Sequence, residues 1–191
     1  MDTMGQPDAP ARPEIVKVEA ASRLAWPGST AEIYSYLSNL RNLLSVTPGL
    51  QRLQITKYSG QARLQIGVPV PLLGQALRVV VDVKAIFEPE QDRIIVASGP
   101  VLQTGLFGPC PPGFTPASFY SETTLKPGRL DETQVAIQLR LGLQELPNGL
   151  GAFSNSFFVG VAQTIAQEQI KGITAKLNSR LQQGYNSSRA V

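Results

Sequence analysis

The last long stretch of the sequence, from Phe157 to Leu181, limits the choice of fold more than any other part of the chain. It contains no proline, and its apolar residues recur at three- and four-residue spacing, which is typical of a helix with one buried face. These residues are Val159, Ala162, Ala166, Ile170, Ile173, Leu177 and Leu181. The first turns add Phe158, Val161 and Ile165 on a second face. The apolar face of such a helix must pack against a large apolar surface formed by the rest of the chain.

Most of the chain before that helix alternates between apolar and polar residues, which is typical of strands with one buried face. The clearest case spans Leu77 to Phe87, and the first spans Val16 to Trp26 before Pro27-Gly28 ends it. We predict about seven strands, near residues 16–26, 53–56, 63–68, 77–87, 93–98, 118–126 and 134–144. The residues expected to be buried are Val79, Val81, Val83, Ile137 and Leu139. Those expected to face water are Arg78, Lys84, Gln138 and Arg140.

A helix is predicted directly after the first strand. Ser29 followed by Glu32 is a capping-box pattern, and Thr47-Pro48-Gly49 ends the helix. The apolar residues that share one face of it are Ile33, Leu37, Leu40 and Leu44. Short connections between the later strands predict an antiparallel sheet, and the terminal helix is the only large element left to cover its apolar side. We therefore predict an α+β fold in which the long helix closes over the concave side of a curved sheet.

Three stretches of the chain carry a resemblance to known proteins. RLAWPGSTAEIYSYLSNLRNLLSVTPG leads from a strand into a helix with a TPG break, and SETTLKPGRLDETQVAIQLRL is a closing hairpin. From Glu14 to Gln183 the chain resembles the helix-grip fold of the START-like (SRPBCC) superfamily, which includes polyketide cyclases, plant pathogenesis-related proteins and the birch pollen allergen. The hairpin followed by LGAFSNSFFVGVAQTIAQEQI is also similar to the G-type accessory subunit of carbon monoxide dehydrogenases and to uncharacterised bacterial proteins.

The resemblance implies a curved antiparallel sheet of about seven strands wrapped around a long C-terminal helix, with a short helix after strand 1. It also implies an apolar or amphipathic ligand held between sheet and helix, because most members of the superfamily hold one there. It does not imply a particular ligand, since one fold hosts many functions.

The composition excludes several kinds of chemistry. The 191 residues, 42% of them hydrophobic, predict one domain at 14–183 between a disordered tail at 1–13 and a flexible tail at 184–191. The chain has no histidine and a single cysteine, Cys110, so no metal site and no internal disulfide are expected, and no cofactor is indicated. The sequence contains no signal pattern and no apolar run long enough to span a membrane, so we expect a soluble, cytoplasmic protein.

The net charge of +3 comes from the last part of the chain. Residues 161–191 contain one acid, Glu168, and four cations, Lys171, Lys176, Arg180 and Arg189. One interpretation is that cations favour the C-terminal end of a helix, where the macrodipole is negative. The other is a weak contact of this basic helix with an anionic membrane surface or a protein partner. Nucleic-acid binding is not expected, because the other Lys and Arg residues are scattered singly among acids.

The residues that face the terminal helix are candidates for the lining of a ligand-binding cavity. Ala162 and Ala166 are small where a filled core would prefer Leu or Phe, so they leave room beneath the helix. The predicted lining consists of Leu64, Ile66, Val81, Phe119, Leu139, Phe158, Ala162 and Ile165. The alternative is a filled core. The Gly- and Pro-rich loop Gly99–Pro116 carries Phe107 and Phe114, which either form a gate at the cavity entrance or pack against the sheet.

Side chains that could carry chemistry are Tyr34, Tyr36, Asp82, Tyr120, Glu122 and Arg140. If Tyr120 and Glu122 pointed inward, a buried carboxylate beside a phenol could relay a proton. The alternation instead favours Phe119 and Leu125 as the inward residues, so the pair is expected on the outer face. Cys110 lies between prolines with no basic neighbour in the sequence to lower its pKa, so a nucleophilic role is not favoured.

Three functions remain open from the sequence. The first is a non-enzymatic carrier or sensor for a hydrophobic molecule or lipid, such as an isoprenoid, a quinone, an acyl chain or a polyketide. The second is an enzyme of the polyketide-cyclase type, which is less favoured because the chain lacks histidine and a close pair of carboxylates. The third is a scaffold with a filled core that binds a protein partner through its surface.

Overall fold

Seven strands and three α-helices make up the described parts of the chain, which are residues 16–56, 60–70, 75–98, 107–129, 131–143 and 156–190 of the computed structural model. In chain order they are β1 (Val16–Pro27), α1 (Thr30–Leu37), α2 (Leu40–Ser45), β2 (Leu50–Ile55), β3 (Gln61–Val70), β4 (Gln75–Glu88), β5 (Arg93–Ala97), β6 (Thr115–Pro127), β7 (Glu132–Leu143) and α3 (Ser156–Arg189). A short 3-10 turn, Pro89–Gln91, joins β4 to β5.

The strands form one curved sheet in the order β1-β7-β6-β5-β4-β3-β2. Strands β2 to β7 follow one another as a meander, and β1 pairs with the last of them. All neighbours in this order are antiparallel, and a short parallel contact joins β4 to β6 beyond the end of β5. The predictions of about seven antiparallel strands, a short helix after the first strand and a long C-terminal helix are confirmed.

The alternation along the strands separates an apolar face from a polar one. The residues predicted to be buried are all buried, namely Val79, Val81, Val83, Ile137 and Leu139. Three of the four residues predicted to face water are exposed, namely Arg78, Lys84 and Gln138. The fourth, Arg140, lies on the same outer face but is partly covered, because it forms an ion pair of 2.6 Å with Glu19 on β1.

The helix predicted after β1 is divided into two. α1 begins with the predicted capping box, in which the Ser29 side chain accepts from the N–H of Glu32 and the Glu32 carboxylate accepts from the N–H of Ser29. It ends because the Ser38 hydroxyl donates to the Tyr34 carbonyl at 2.8 Å and Asn39 starts α2 by accepting from the Arg41 N–H at 3.0 Å. The expectation of one continuous helix is therefore wrong, although its apolar face still packs into the core.

α3 continues past the predicted domain boundary at 183 and ends at Arg189. Its buried stripe includes the expected Ile170, Leu177 and Leu181. Tyr185, one turn further along, is buried as well and stacks on Trp26 with ring centroids 5.7 Å apart. Residues 184–189 are therefore helical, and the domain boundaries expected at 14 and 183 stay predictions. The tail predicted at 1–13 lies outside the described residues.

Helix α3 runs along the free edge of β1, the first strand in the sheet order. The Gln167 amide accepts from the Glu19 N–H at 3.2 Å and donates to the Glu19 carbonyl, and Gln182 donates to the Ala25 carbonyl at 2.7 Å. Because these contacts advance in the same direction along both elements, α3 is parallel to β1. Amide side chains of the helix thus satisfy backbone groups that a neighbouring strand would otherwise bind.

Candidate functional site

The concave face of the sheet is lined by apolar side chains on the described strands. These buried residues include Val18, Ala20, Ala62, Leu64, Ile66, Val79, Val81, Val83, Ile94, Val96, Phe119, Leu125, Val135, Ile137 and Leu139. The Asp, Glu, Lys and Arg residues of the described strands alternate onto the opposite, outer face. The sheet therefore offers a broad apolar wall on the side where α3 closes the fold.

Five of the eight predicted lining residues lie buried on this wall, namely Leu64, Ile66, Val81, Phe119 and Leu139. Leu64 and Val81 are direct cross-strand partners on β3 and β4. Leu139 is further along the sheet on β7, where it pairs with Ser121 of β6, two residues from Phe119. The side chains of Phe158, Ala162 and Ile165 lie outside the described part of α3, so their share in a lining stays a prediction.

A buried amide side chain of α3 connects the helix to strands β1 and β7. Asn178 is fully buried, accepts from the Trp26 indole N–H at 3.1 Å, and donates to the Ser22 hydroxyl at 3.3 Å and to the Val135 carbonyl at 3.4 Å. Sequence reasoning missed this residue. The signal was available, because Thr174 and Asn178 follow Ile170 at four-residue spacing and so place polar groups on an apolar helical face.

Two hydroxyl side chains interrupt the apolar wall near its centre. Ser121 and Thr123 lie on β6 between the inward residues Phe119 and Leu125, and only 8% and 2% of their surfaces are exposed. Ser121 is flanked by Leu139 of β7 and Val96 of β5. The sequence pattern put both hydroxyl residues on the same face as Phe119 without giving them a role.

Tyr120 and Glu122 lie on the outer face, as the alternation predicted. The Tyr120 hydroxyl donates to Glu122 Oε2 at 2.6 Å, and the Arg140 guanidinium lies 5.7 Å from the centre of the Tyr120 ring. The hydrogen bond to Glu122, together with burial, raises the pKa of Tyr120, so the phenol stays protonated near neutral pH. On the far side of the sheet from the apolar wall, the pair cannot relay protons to a molecule held there.

Asp82 forms a buried ion pair with Arg63, its cross-strand partner on the outer face. The guanidinium binds the carboxylate through two bonds, from Nε at 2.6 Å and from Nη2 at 2.7 Å. Its other donors reach three consecutive backbone carbonyls of the loop before β6, those of Phe107, Gly108 and Pro109, at 2.9 to 3.1 Å. The hydrogen bonds to Asp82 raise the pKa of Arg63 further, so the guanidinium stays charged.

The loop residues predicted as a gate are only partly described, since residues 99–106 fall outside the described ranges. The Phe107 ring lies 5.4 Å from the Arg63 guanidinium, against the outer face of β3 and β4. Phe107 thus packs against the sheet in this structure, and a gating role for it stays a prediction. Phe114 is half-buried directly before β6, and a gating role for it stays a prediction.

The Cys110 thiol is exposed in the same loop. Partial burial of the thiol raises the pKa of Cys110, and the positive charge of Arg63 only partly opposes that shift. The fold therefore brings a basic neighbour that the sequence did not suggest, yet the thiol remains protonated near neutral pH and is a weak nucleophile.

The remaining tyrosines among the candidates support the packing of the helices. The Tyr36 ring meets Tyr185 edge-on with centroids 5.5 Å apart, and Tyr34 packs against the core from α1. Burial raises the pKa of both phenols, which keeps them neutral. No group of three Asp, Glu, Cys or His residues in the described ranges is arranged to hold a metal ion.

The basic end of α3 is partly engaged within the protein. Lys171 pairs with Glu168 at 2.7 Å, and Arg189 donates to the Pro27 carbonyl and lies 5.6 Å from the centre of the Tyr185 ring. Contact of this surface with an anionic membrane or a protein stays a prediction. Of the helices that the structure describes, none combines the length and apolarity that crossing a membrane requires.

No family model and no curated protein sequence matches the chain. Solved structures do. The Zhui aromatase/cyclase from Streptomyces sp. R1128 matches with a TM-score of 0.59 and 10% identity, over 89% of this chain and 94% of that one. Norcoclaurine synthase from Thalictrum flavum, a point mutant with a transition-state analogue, gives a TM-score of 0.54 and 15% identity over 91% and 97% of the two chains. A START superfamily protein from Mycobacterium smegmatis gives 0.52 and 15% over 86% and 97%.

These similarities concern the fold, because the identities are low. The protein has a START-like helix-grip fold, with a seven-stranded curved sheet and a long C-terminal helix, and the resemblance inferred from its sequence is confirmed at that level. The narrower likeness to an accessory component of carbon monoxide dehydrogenases stays a prediction.

Proposed function

We propose that this protein binds a hydrophobic small molecule or lipid between the concave face of the sheet and α3, and that it carries the molecule without altering it. Suitable molecules are isoprenoids, quinones, acyl chains and polyketides. The observation that supports the proposal is the separation of polarity across the sheet, with an apolar wall inside and the charges outside. Ligand pockets are mostly apolar with a few placed polar groups, and this wall has that composition.

The proposed lining comprises the five buried wall residues and three positions of α3, namely Leu64, Ile66, Val81, Phe119, Leu139, Phe158, Ala162 and Ile165. Position 162 precedes the buried Ile170 by two four-residue steps, a spacing typical of one apolar helical stripe, so we expect it on the same face. Val81 has no surface accessible to water, so a ligand reaches it only after neighbouring side chains move.

A cyclase-type enzyme is the alternative suggested by solved neighbours such as the Zhui aromatase/cyclase. It is less favoured because the acids and bases of the described strands lie on the outer face, away from the proposed site. A polyketide chain supplied to the protein and recovered unchanged supports carriage, whereas recovery of a cyclised product supports the enzyme.

The proposal is tested by measuring how the neutral fluorescent dye Nile red binds to the wild type and to Ala162→Trp. We expect the wild type to bind the dye and Ala162→Trp to lose binding at least ten-fold, a change of about 1.4 kcal/mol, because the indole occupies the ligand's space. The melting temperature of the variant should stay within a few degrees of the wild type. Organic extraction of the purified protein, followed by mass spectrometry, identifies any apolar ligand that it retains.

A matched control is Ala175→Trp, which places the same side chain on the exposed face of the same helix. It should leave both dye binding and stability unchanged. If Ala162→Trp unfolds the protein, the residue overpacks a solid core and the scaffold with a filled core becomes the better description. If the wild type neither binds the dye nor retains a ligand, the proposed ligand binding is contradicted as well.

A further inference from the structure

Six buried polar side chains are found among the described residues, and they differ in whether the protein satisfies them. They are Arg63, Ser121, Thr123, Thr133, Thr174 and Asn178. Four of them form hydrogen bonds within the protein: Arg63 and Asn178 through the contacts given above, Thr133 to the Gly28 carbonyl at 2.9 Å, and Thr174 to the Ile170 carbonyl at 2.7 Å. Neither the Ser121 nor the Thr123 hydroxyl has a hydrogen-bond partner among the described residues.

The two unsatisfied hydroxyl groups are neighbours on one face of one strand. Successive inward residues of a strand are roughly 7 Å apart, so a single small molecule can reach both. Their cross-strand neighbours are apolar: Leu139 and Val96 flank Ser121, and Ile137 and Ile94 flank Thr123. The two hydroxyl oxygens are not sealed in the protein, unlike the Tyr34 and Tyr185 hydroxyl oxygens, which are fully buried without a partner. A hydroxyl that keeps some accessible surface and has no partner in the protein is ordinarily paired with water or with a ligand. The pair is therefore poised to accept a polar group from outside the protein.

The charge of that polar group follows from the surroundings. On the described strands, the charged residues point to the outer face, so no Asp, Glu, Lys or Arg of these strands can neutralise an ion held at Ser121. A carboxylate or ammonium buried there would lose its hydration without gaining a counter-charge, which is strongly unfavourable. A neutral hydroxyl or carbonyl loses much less and can bind either side chain.

We propose that Ser121 and Thr123 form a polar subsite in the apolar site, and that the ligand is a neutral molecule with a hydroxyl or carbonyl group on an apolar body. This inference rests on the proposed function and narrows it: alcohols, ketones and quinones fit, whereas free fatty acids do not. Each hydroxyl group both donates and accepts, so the subsite serves an alcohol and a carbonyl equally.

The test compares three probes of equal chain length, dodecan-1-ol, dodecanoate and 1-chlorododecane, by their displacement of Nile red at pH 8. We expect the wild type to bind dodecanol at least ten-fold more tightly than dodecanoate. Ser121→Ala and Thr123→Val should together weaken dodecanol binding roughly five- to ten-fold, as the loss of one or two net hydrogen bonds does. Binding of 1-chlorododecane should not change, because that probe has no hydroxyl group that could form hydrogen bonds with Ser121 or Thr123.

Two further variants separate hydrogen bonding from packing. Thr124→Val, on the outward face of the same strand, should behave as the wild type throughout. Thr123→Ser keeps the hydroxyl and loses only a methyl group, so it should retain dodecanol binding. Without ligand, Thr123→Val should melt no lower than the wild type, because the hydroxyl it removes has no partner in the described structure.

The outcomes separate this inference from the proposed function. If Nile red binds but the variants bind dodecanol like the wild type, or dodecanoate binds as well as dodecanol, the polar subsite is wrong and the apolar site stands. If Thr123→Ser loses as much affinity as Thr123→Val, packing and not hydrogen bonding is responsible, and the subsite is again wrong. If the wild type binds none of the probes, the proposed function fails and the subsite fails with it.

Discussion

Arg63 uses all five of its guanidinium N–H groups within the protein, two on Asp82 and three on loop carbonyls. Only 6% of the residue is exposed, so these contacts are poorly screened by solvent. The planar fork of arginine matches this arrangement, and lysine, with a single ammonium group, cannot reproduce it. The residue therefore fixes the end of the long loop to the outer face of β3 and β4.

We expect Arg63→Lys to lower the free energy of unfolding by about 2 kcal/mol, because several buried carbonyl and carboxylate oxygens lose their donors. Urea denaturation measures the change. The control is Arg78→Lys on the exposed side of β4, which should change stability by less than about 0.5 kcal/mol. Equal effects of the two substitutions would mean that the loop contacts of Arg63 add nothing to stability.

Single residues were predictable from the sequence where only local geometry mattered. The strict alternation of β6 put Tyr120 and Glu122 on the outer face without any knowledge of their neighbours. The contacts of Arg63 were not predictable, because they join residues 44 to 46 positions apart through a loop of irregular conformation. The closeness of the Arg63 charge to Cys110 was not predictable either, because only folding brings these two residues together.

Two of the three glycines in the long helix α3, Gly172 and Gly184, have different surroundings. A Cβ atom added to Gly172 would meet no other atom within 4 Å, whereas one added to Gly184 would lie 2.4 Å from the Tyr36 hydroxyl. The Tyr36 ring has little freedom to retreat, because it packs edge-on against Tyr185. The first glycine thus only weakens the helix, while the second makes room for an aromatic contact between α1 and α3.

We expect Gly172→Ala to raise the free energy of unfolding by about 0.5–1 kcal/mol, since alanine loses less conformational freedom in a helix. Gly184→Ala should instead lower it by about 1 kcal/mol, because the overpacking outweighs the same gain. Thermal melting of both variants measures the difference. Adding Tyr36→Phe, which removes the hydroxyl, should restore stability to Gly184→Ala. If the double variant is no more stable than Gly184→Ala, the clash is not with that hydroxyl.

At the level of elements, the start of α1 was predictable and its end was not. The capping box at Ser29 is a local pattern of four residues, and it forms as expected. The break before α2 depends on Ser38 and Asn39, whose side chains compete with the helix for backbone groups. The apolar spacing across the break is helical on both sides, so it conceals the interruption. Similarly, Gln167 and Gln182 of α3 look like ordinary surface residues in the sequence. Their role becomes visible only in the structure, where β1 lies beside them.

The whole molecule depends on one apolar layer, and Val81 lies near its centre on β4. Its side chain is 0% exposed, and its cross-strand partner Leu64 is buried as well. We expect Val81→Asp to lower the free energy of unfolding by more than about 4 kcal/mol, which removes most of the stability, because a carboxylate without a partner enters an apolar layer. Circular dichroism and urea denaturation show whether the variant folds.

The matched control for that substitution is Ile86→Asp on the same strand. Ile86 lies on the outer face and is 45% exposed, so the same change of chemistry should cost about 1 kcal/mol or less. A folded Val81→Asp with a stability close to that of Ile86→Asp would contradict the orientation of β4, because a shift of one residue exchanges the two faces.

The overall architecture was predictable because it follows from period and order. Seven alternating segments and one long apolar stripe leave few ways to bury every apolar face. The position of β1 beside β7, and of α3 along the edge of β1, was not specified by any pattern, because both result from contacts between the two ends of the chain. The burial of the strand residues in the proposed lining was predictable, because alternation decides which side of the sheet they face. The pair of unsatisfied hydroxyl groups became apparent only when their neighbours were known.

The position of α3 along β1 has a consequence for synthesis on the ribosome. All seven strands precede α3 in the chain, so the sheet can form before the helix that covers its edge has been made. During that interval the N–H and C=O groups of β1 that Gln167 and Gln182 later bind are free to pair with a strand from another chain. We therefore expect the rate at which α3 docks, and not only the final stability, to influence how much of the newly made protein escapes aggregation.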